Sequence, residues 1–314
     1  MTMRNAVIVG AGFYGLMLAT FLAKKYNVTV YEETDDVMTK ASSLCQMRIH
    51  TGMMYPKNLQ TALSCVKTFK PFMLKFKKAI VDDFESIYAI AKDGNITTEE
   101  FKYSQKLLGS KCKEIKNEFF DPLLIDSVFK CNEFTFEPNI IKQILLDKCA
   151  KLKVKIFFNH KINNLKEIKA DKIFLCNYNN INTLLKNSNY KTINNFTVIP
   201  FEKIFAYDNL GREAITIIDG NYFSSMCLKD TNLKTYTGAE LSQTDKTNYI
   251  KVFERIKKYI PEIELKYDHS QFGVKTFIKG TRTCHVEKVD ENIYAILGGK
   301  ITNVFNMFEE LKFL

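Results

Sequence analysis

The clearest hydrophobic pattern lies at the start of the chain. Residues 6–9 form a short, wholly apolar run (Ala-Val-Ile-Val) that is typical of a buried parallel strand. Glycines interrupt the pattern at 10–15, and apolar residues then recur at helical spacing until a helix end expected within 24–27. A second strand is predicted at 28–32, with a carboxylate at its end. Together these elements predict one βαβ half-unit within roughly thirty residues.

The rest of the chain alternates between helical and strand-like patterns. An apolar stripe in a lysine-rich sequence predicts helical structure through residues 55–109, including a helix start with capping-box residues at 97–100. Alternating apolar and polar residues over 196–237 predict an antiparallel sheet. The other predicted elements are strands at 126–136, 154–158, 170–176 and 293–297, helices at 140–152 and 251–259, and a terminal helix beginning at the glycines 298–299.

This order of elements predicts an α/β fold with two domains. A chain of 314 residues is long enough to bury a large core and more often forms two lobes than one. We expect a nucleotide-binding domain built from the beginning, middle and end of the chain, at 1–60, 135–195 and 280–314. A substrate domain is expected to be inserted between these pieces, at 61–134 and 196–279.

Composition and charge exclude several classes of function. Hydrophobic residues make up 46% of the chain and charged residues 25%, as in ordinary globular proteins, and no apolar run is long enough for a transmembrane helix. Without a signal-peptide pattern the protein is expected in the cytoplasm, with peripheral membrane contact left open. The net charge of +10 comes from lysines spread along the chain, so no nucleic-acid partner is expected. The 8 cysteines and 4 histidines lack ligand spacing, which predicts free thiols and no metal site.

The glycines after the first strand carry the strongest functional signal. Gly10 permits a tight strand-to-helix turn, Gly12 lets the backbone approach a pyrophosphate, and Gly15 allows close packing of helix on strand. The helix N-terminus supplies free N–H groups to the phosphates. Glu32, at the end of the second strand, can accept hydrogen bonds from both hydroxyls of an adenosine ribose. These features predict a dinucleotide, and they leave NAD and FAD as alternatives.

Two further motifs resemble those of flavin-dependent oxidoreductases of the D-amino-acid-oxidase type. The resemblance is closest to FAD-dependent glycerol-3-phosphate dehydrogenases and L-2-hydroxyglutarate dehydrogenases. It rests on the glycine-glycine-lysine-x-threonine run at 298–302 and on a serine-serine to tyrosine run in which this chain keeps Ser42, Ser43, Ile49, His50, Gly52 and Tyr55. It implies a Rossmann-like FAD-binding domain with an inserted substrate domain of mixed sheet and helices.

The resemblance also implies how these residues would surround FAD. Residues that would cross the isoalloxazine ring are Ser42, Ser43 and Gln46, and those at its pyrimidine edge are Gly298, Gly299, Lys300, Ile301 and Thr302. The backbone of Ile162 falls where the family binds adenine. A positive helix end and the Lys300 ammonium at the pyrimidine edge would raise the electron affinity of the flavin.

Catalysis and substrate binding are less defined by the sequence. His50 is a candidate base beside the flavin, with a core histidine and a covalent flavin link as alternatives, and Tyr55 is a second catalytic candidate. An anionic substrate would be held by Arg48, Lys275 or Arg282.

The reaction expected from these groups is hydride transfer from a CH–OH or CH–NH carbon of a small polar metabolite to flavin N5. Such a metabolite would be a hydroxy acid, an amino acid or amine, or a sugar-alcohol derivative. Oxygen or a quinone would accept the electrons. Met54 stands where the glycerol-phosphate enzymes carry an arginine, and Lys275 stands where the family often has arginine. For this reason glycerol 3-phosphate is not expected to be the substrate. A nicotinamide-dependent dehydrogenase and a non-catalytic flavin-binding protein are the alternatives.

Overall fold

A computed structural model describes residues 3–218, 220, 222–238, 247–280 and 282–313. In this part of the chain the helices are α1 (Phe13–Leu22), α2 (Ala41–Leu44), α3 (Leu59–Lys75), α4 (Thr98–Leu108), α5 (Pro138–Lys151), α6 (Ile181–Asn187), α7 (Tyr249–Tyr259) and α8 (Val304–Glu310). The strands are β1 (Arg4–Val9), β2 (Tyr26–Tyr31), β3 (Arg48–Ile49), β4 (Ile80–Val81), β5 (Glu85–Ala91), β6 (Cys112–Ile115), β7 (Ile125–Cys131), β8 (Phe134–Phe136), β9 (Lys155–Phe157), β10 (Lys172–Leu175), β11 (Phe196–Asp208), β12 (Glu213–Ile218), β13 (Phe223–Cys227), β14 (Lys234–Gly238), β15 (Leu265–Ile278), β16 (His285–Lys288) and β17 (Ile293–Leu297). None of the described helices has the length and apolar character that crossing a membrane requires.

The first sheet collects strands from both ends and the middle of the chain. Its order is β16-β17-β10-β1-β2-β9, and every pair is parallel except β16 with β17. The last residue of β1, Val9, lies opposite Leu175 of β10 and Tyr31 of β2. Because parallel strands end at the same edge, the segments after β1, β2, β10 and β17 meet there, where open α/β sheets bind ligands.

The first βαβ unit forms as the pattern predicts, with one difference at the helix end. The residues of β1 from Ala6 to Val9 are buried, and α1 is buried on most sides because α5 and α8 pack against it. The helix ends at Leu22, before the predicted range, and β2 already begins at Tyr26. Tyr26 is apolar enough to be buried as the first residue of the strand, so the lysines before it form the turn.

The second sheet is larger and mainly antiparallel, with the order β15-β11-β14-β13-β12-β5-β7-β6. The prediction of helix throughout 55–109 is wrong for its middle, because β4 and β5 lie between α3 and α4. Residues 86–91 are all buried, so this strand shows no alternation that would distinguish it from a helix. β5 also pairs in parallel with β12, an exception to the antiparallel pattern predicted for 196–237.

A small third sheet has the strand order β3-β8-β4. Its strands come at points where the chain passes from one large sheet to the other, between β2 and β5 and between β7 and β9. β3 consists of Arg48 and Ile49, which pair with Thr135 and Phe134 of β8. This pairing fixes the backbone immediately before His50. The predicted capping box also forms: the Thr97 side chain accepts a bond from the backbone N–H of Glu100, and the Glu100 carboxylate accepts one from the Thr97 N–H.

Candidate active site

The glycine turn at the end of β1 is tightly packed on its inner side and open on its outer side. Gly10 has a φ of +101°, and a Cβ there would lie 2.8 Å from the carbonyl oxygen of Cys176. A Cβ on Gly15 would lie 2.0 Å from the carbonyl oxygen of Gly10, so helix and turn touch directly. A Cβ on Gly12 would meet only the Ser42 hydroxyl at 3.4 Å. Gly12 therefore leaves its backbone accessible to a ligand.

Side chains from neighbouring segments hold this turn in place. The backbone N–H of Ala11 donates to Oε2 of Glu32 at 2.7 Å, and that of Phe13 donates to the Ser42 hydroxyl at 2.9 Å. The other oxygen of Glu32 accepts from the Thr34 N–H at 3.0 Å. Glu32 thus connects the ends of β1 and β2, while its carboxylate keeps lone pairs for a ligand because each oxygen can accept more than one bond.

A cavity of about 740 Å³ extends from this turn along the carboxyl edge of the first sheet. Gly10, Gly12 and Glu32 line it, as does Ile162. His50 and Lys300 line it as well, so one continuous space connects the glycine turn with the second group of predicted site residues.

The glycines after β17 also permit a close approach that no other residue would allow. A Cβ on Gly298 would lie 2.3 Å from the ring of Tyr14, and one on Gly299 would lie 1.9 Å from the carbonyl oxygen of Arg282. The Tyr14 hydroxyl donates to the carbonyl oxygen of Lys300 at 2.6 Å. Helix α1 therefore fixes the position of this run.

The expectation that the terminal helix begins at these glycines is wrong. Helix α8 begins at Val304, and Asn303 precedes it with its side chain donating to the carbonyl oxygen of Arg282 at 3.3 Å. The residues 298–303 are needed as a turn, because Gly299 packs directly against the backbone of Arg282. The positive charge at this end of the cavity consequently comes from side chains rather than from a helix terminus.

Lys300 lies beside His50 inside the cavity. Its ammonium is 3.4 Å from Nε2 of His50 and 4.7 Å from the ring centre of Tyr55. Burial first, and then Arg282 and other neighbouring cations, lower the pKa of Lys300 to about 7. Burial and the neighbouring cations, Lys300 first, also lower the pKa of His50 well below its usual value. His50 is therefore neutral at physiological pH and able to accept a proton.

Four buried polar atoms of residues that line the cavity lack hydrogen-bond partners among the described residues. They are Nε of Arg48, Nδ1 of His50, Oδ1 of Asn177 and Oγ1 of Thr276. Buried polar atoms are almost always hydrogen-bonded in folded proteins, so such atoms along one cavity indicate a polar ligand. With the open face of Gly12, they fit the dinucleotide that the sequence motifs imply.

Comparison with known proteins decides which dinucleotide this is. Residues 5–183 match the family of FAD dependent oxidoreductases named DAO. The chain belongs to this family. It is an FAD-dependent oxidoreductase, and FAD is its cofactor, which excludes the nicotinamide-dependent alternative. No curated protein matches the chain.

Several solved structures have the same fold as this chain. L-α-glycerophosphate oxidase from Mycoplasma pneumoniae, a structure with FAD bound, has a TM-score of 0.78 at 16% identity, covering 99% of this chain and 94% of its own. Glycine oxidase from Geobacillus kaustophilus has a TM-score of 0.75 at 11% identity, with coverage of 97% and 92%. L-proline dehydrogenase from P. horikoshii has a TM-score of 0.76 at 13% identity, with coverage of 96% and 91%. At these identities the likeness is one of fold.

In this DAO-family protein, Arg48 has internal partners. Its guanidinium is 2.9 Å from a carboxylate oxygen of Glu133 and 3.0 Å from the Tyr88 hydroxyl, and it donates to the hydroxyl of Thr216 at 2.8 Å. The side chains of Arg48 and Glu133 are 2% and 0% exposed. Because both terminal nitrogens are engaged, Arg48 does not present the free fork expected of a substrate ligand. It anchors β3, directly before His50, to the second large sheet.

Lys275 and Arg282 differ from Arg48 because neither side chain has a hydrogen-bonded or ion-pair partner among the described residues. The Lys275 ammonium lies 4.8 Å from the ring centre of Phe201, and the Arg282 guanidinium lies 3.8 Å from that of Phe277. Both cations line the cavity. Burial and then Arg282 lower the pKa of Lys275. The two side chains give this end of the cavity a positive charge that no described carboxylate neutralises.

The remaining predicted residues divide into two groups. Those that line the cavity are Ser42, Gln46, Tyr55, Gly298, Gly299 and Ile301. Gly15, Ser43 and Thr302 lie outside its lining: Gly15 packs on Gly10, Ser43 donates to the carbonyl oxygen of Met38, and Thr302 is fully buried. Gln46 exchanges bonds with Ser224 of the second sheet at 3.0 and 3.1 Å.

Glu133 and Asn177 are site residues that the sequence reasoning missed. Glu133 follows β7 and reaches Arg48 only through the fold, so no local pattern reveals it. Asn177 comes two residues after the end of β10, at the edge where the first strand has its glycines. Its position after a buried parallel strand was a usable signal, because ligand-binding residues collect at that edge.

Proposed function

We propose that this FAD-dependent oxidoreductase oxidises a CH–OH or CH–NH carbon of a small anionic metabolite, with His50 as the base. The observation that carries the proposal is the shared location of a neutral, buried histidine and the unpaired cations Lys275 and Arg282 on one cavity. Arginine and lysine side chains without acidic partners favour an anionic group of the substrate.

We assign the two ends of the cavity to different parts of FAD and of the substrate. Gly10, Gly12 and Glu32 would hold the ADP half, and Ser42, Gln46 and Lys300 would hold the isoalloxazine ring. When bound, FAD supplies the hydride acceptor. The backbone of Ile162 remains our candidate for adenine binding, because this residue lines the same cavity.

The protein side chains would control the proton and the substrate charge. His50 is neutral, so the ring nitrogen that carries no hydrogen can accept the proton of the substrate hydroxyl or amine. Burial raises the pKa of Tyr55 far above its usual value, which keeps its hydroxyl protonated and excludes it as a base. Lys275 and Arg282 would bind the anionic group and orient the reacting carbon.

The division into two domains stays part of the proposal. The first sheet takes its strands from the FAD-binding pieces 1–60, 135–195 and 280–314, and the second sheet takes its strands from 61–134 and 196–279. This separation supports an FAD-binding domain with an inserted substrate domain.

Anaerobic bleaching of the flavin by matched substrate pairs tests the proposed reaction. Each pair would join a compound that carries an anionic group to an analogue that lacks this group: glycerol 3-phosphate with glycerol, an amino acid with its amino alcohol, and a 2-hydroxy acid with its amide. We expect bleaching by an anionic member and none by its partner. Equal bleaching by both members, or by no compound in a broad panel, would contradict the proposal. Reoxidation by air or by a quinone analogue then identifies the electron acceptor.

A further inference from the structure

Helix α3 carries an exposed apolar stripe on the surface of the protein. Leu59, Leu63, Val66 and Leu74 are 50%, 49%, 38% and 71% exposed. Their spacing of four, three and eight residues places them on one side of the helix. The opposite side is buried against the protein core and consists of Thr61, Ala62, Cys65, Thr68 and Phe72. The helix therefore exposes large apolar side chains on its outer side, while mostly smaller side chains are buried on its inner side.

Every charged residue in the segment of the chain that carries this stripe is a lysine. Residues 56–81 contain no aspartate or glutamate, and they contain Lys57, Lys67, Lys70, Lys75, Lys77 and Lys78. Lys70 falls within the stripe itself, since it lies four residues after Val66 and four before Leu74. Asn306 of α8 and Asn303 before it form hydrogen bonds with Ser64 and Thr68, on the side of α3 away from the stripe. Among the described residues, no ion pair joins an acidic residue of α8 to these lysines.

Large apolar side chains that are exposed together on one surface mark interaction sites in many proteins. Helix α7 is a surface helix without such a stripe, because Ile250 is its one large apolar residue that is exposed. Four such side chains in line on one helix, with lysines beside them, form the pattern of a helix that lies in a membrane interface.

We propose that the outer face of α3 docks on an anionic lipid bilayer, with the helix in the plane of the interface. Lysines near an anionic leaflet are attracted to its surface potential, and the apolar stripe can enter the headgroup region. A second copy of the chain is disfavoured as occupant, because a symmetric contact would set the same lysines against each other. No stripe residue lines the cavity, so the docking surface does not depend on the proposed substrate.

Vesicle co-sedimentation of the FAD-loaded protein tests the proposal. We expect binding to vesicles of equal parts phosphatidylcholine and phosphatidylglycerol, weakened by salt, and no binding to phosphatidylcholine alone. The double change Lys67→Gln/Lys70→Gln should lower the partition coefficient about thirty-fold, since each lysine near such a surface contributes about five-fold. The double change Leu63→Gln/Leu74→Gln should lower it about tenfold or more through lost apolar insertion.

Matched changes elsewhere separate docking from general charge and general hydrophobicity. Lys251→Gln/Lys257→Gln on α7 removes the same charge, and Leu123→Gln removes an apolar side chain that is 80% exposed. Both control variants should bind like the unchanged protein, and all variants should keep their flavin absorbance. The proposal is overturned if the α3 variants bind as well as the controls, or if the unchanged protein binds neither vesicle. It is also overturned if the unchanged protein is a dimer in solution and Leu63→Gln/Leu74→Gln makes it a monomer without changing vesicle binding.

Discussion

The two ends of the cavity are built in different ways. At the nucleotide end, Gly10, Gly12 and Glu32 come from one stretch of chain. The pairing of β1 with β2 and the bond from the Ala11 N–H to the Glu32 carboxylate hold them in place. At the reacting end, His50, Lys275, Arg282 and Lys300 come from three distant segments that only the fold brings together. The first end therefore depends on local backbone geometry, and the second depends on long-range packing and on charge.

This difference predicts that the ends can be disturbed separately. Changes at the nucleotide end should alter FAD binding or folding, whereas changes of cavity side chains at the reacting end should alter the reaction while FAD stays bound. The following variants challenge that separation, beginning with the largest expected effect.

Replacing the base should produce the largest effect on the reaction. His50→Asn should lower the rate constant of anaerobic flavin reduction by about a hundred- to ten-thousand-fold, the usual contribution of a positioned base. The FAD content per chain should stay the same. Tyr55→Phe is the matched control, and it should change the rate less than about tenfold because a protonated phenol cannot serve as the base. Rapid-mixing measurements on both variants decide between these residues; a larger loss in Tyr55→Phe would reverse the assignment.

Breaking the buried ion pair should cause the largest loss of stability. Glu133→Gln leaves the charge of Arg48 uncompensated, which should lower the free energy of unfolding by about 3–5 kcal/mol. Glu85→Gln is the control, because its partner Lys130 is half exposed, and the expected loss is about 1 kcal/mol or less. Chemical denaturation of the two variants measures the difference, and similar losses would show that the buried pair does not anchor β3.

The glycine turn offers a pair of changes with opposite expectations. Gly15→Ala forces a Cβ against the carbonyl oxygen of Gly10, which should lower the free energy of unfolding by about 1–3 kcal/mol. Gly12→Ala has room for its methyl group beside Ser42 and should leave stability nearly unchanged, but it should weaken FAD binding. Thermal unfolding and FAD titration of both variants test this. Equal FAD affinity in Gly12→Ala and the unchanged protein would remove Gly12 from the pyrophosphate site.

The pH dependence should produce the smallest effect, and its two limbs have different causes. Lysine is charged below its pKa, so Lys300, with a pKa of about 7, loses its charge as the pH rises through 7. The value of kcat/KM for an anionic substrate should fall over that range. The lowered pKa of His50 keeps it neutral down to acidic pH, so the acid limb should lie below the usual histidine range. Lys300→Met should remove the alkaline limb, and an unchanged limb would assign it to another group.

The parts of the structure that the sequence predicted well are those specified by neighbouring residues. The βαβ unit, the capping box of α4 and the strand β17 all carry their pattern locally. The prediction failed at β5, since a strand buried on both faces loses its alternation. It also failed at the start of α8. The turn before this helix is set by the packing of Gly299 on the backbone of Arg282, a contact that the sequence around residue 299 does not reveal.

The same reasoning explains the candidate site. The glycines and Glu32 were predictable from their spacing, and the resemblance to flavin enzymes supplied His50 and the run at 298–302. The sequence could not distinguish Arg48 from Lys275 and Arg282, since all three are cations near family motifs. Only the fold shows that Glu133 lies against Arg48 and that the other two have no described acidic partner. The residues around a charged side chain in the sequence do not show whether a charge from a distant segment will pair with it.

The central claim is that one end of the cavity holds FAD and the other selects an anionic substrate. The double variant Lys275→Met/Arg282→Met tests it most directly when FAD content and substrate affinity are measured on the same sample, with the anionic compound that bleaches the flavin fastest. We predict unchanged FAD content and an affinity lowered about a hundredfold or more, because two charge-assisted contacts are lost. Loss of FAD with unchanged affinity for the anion would contradict the account.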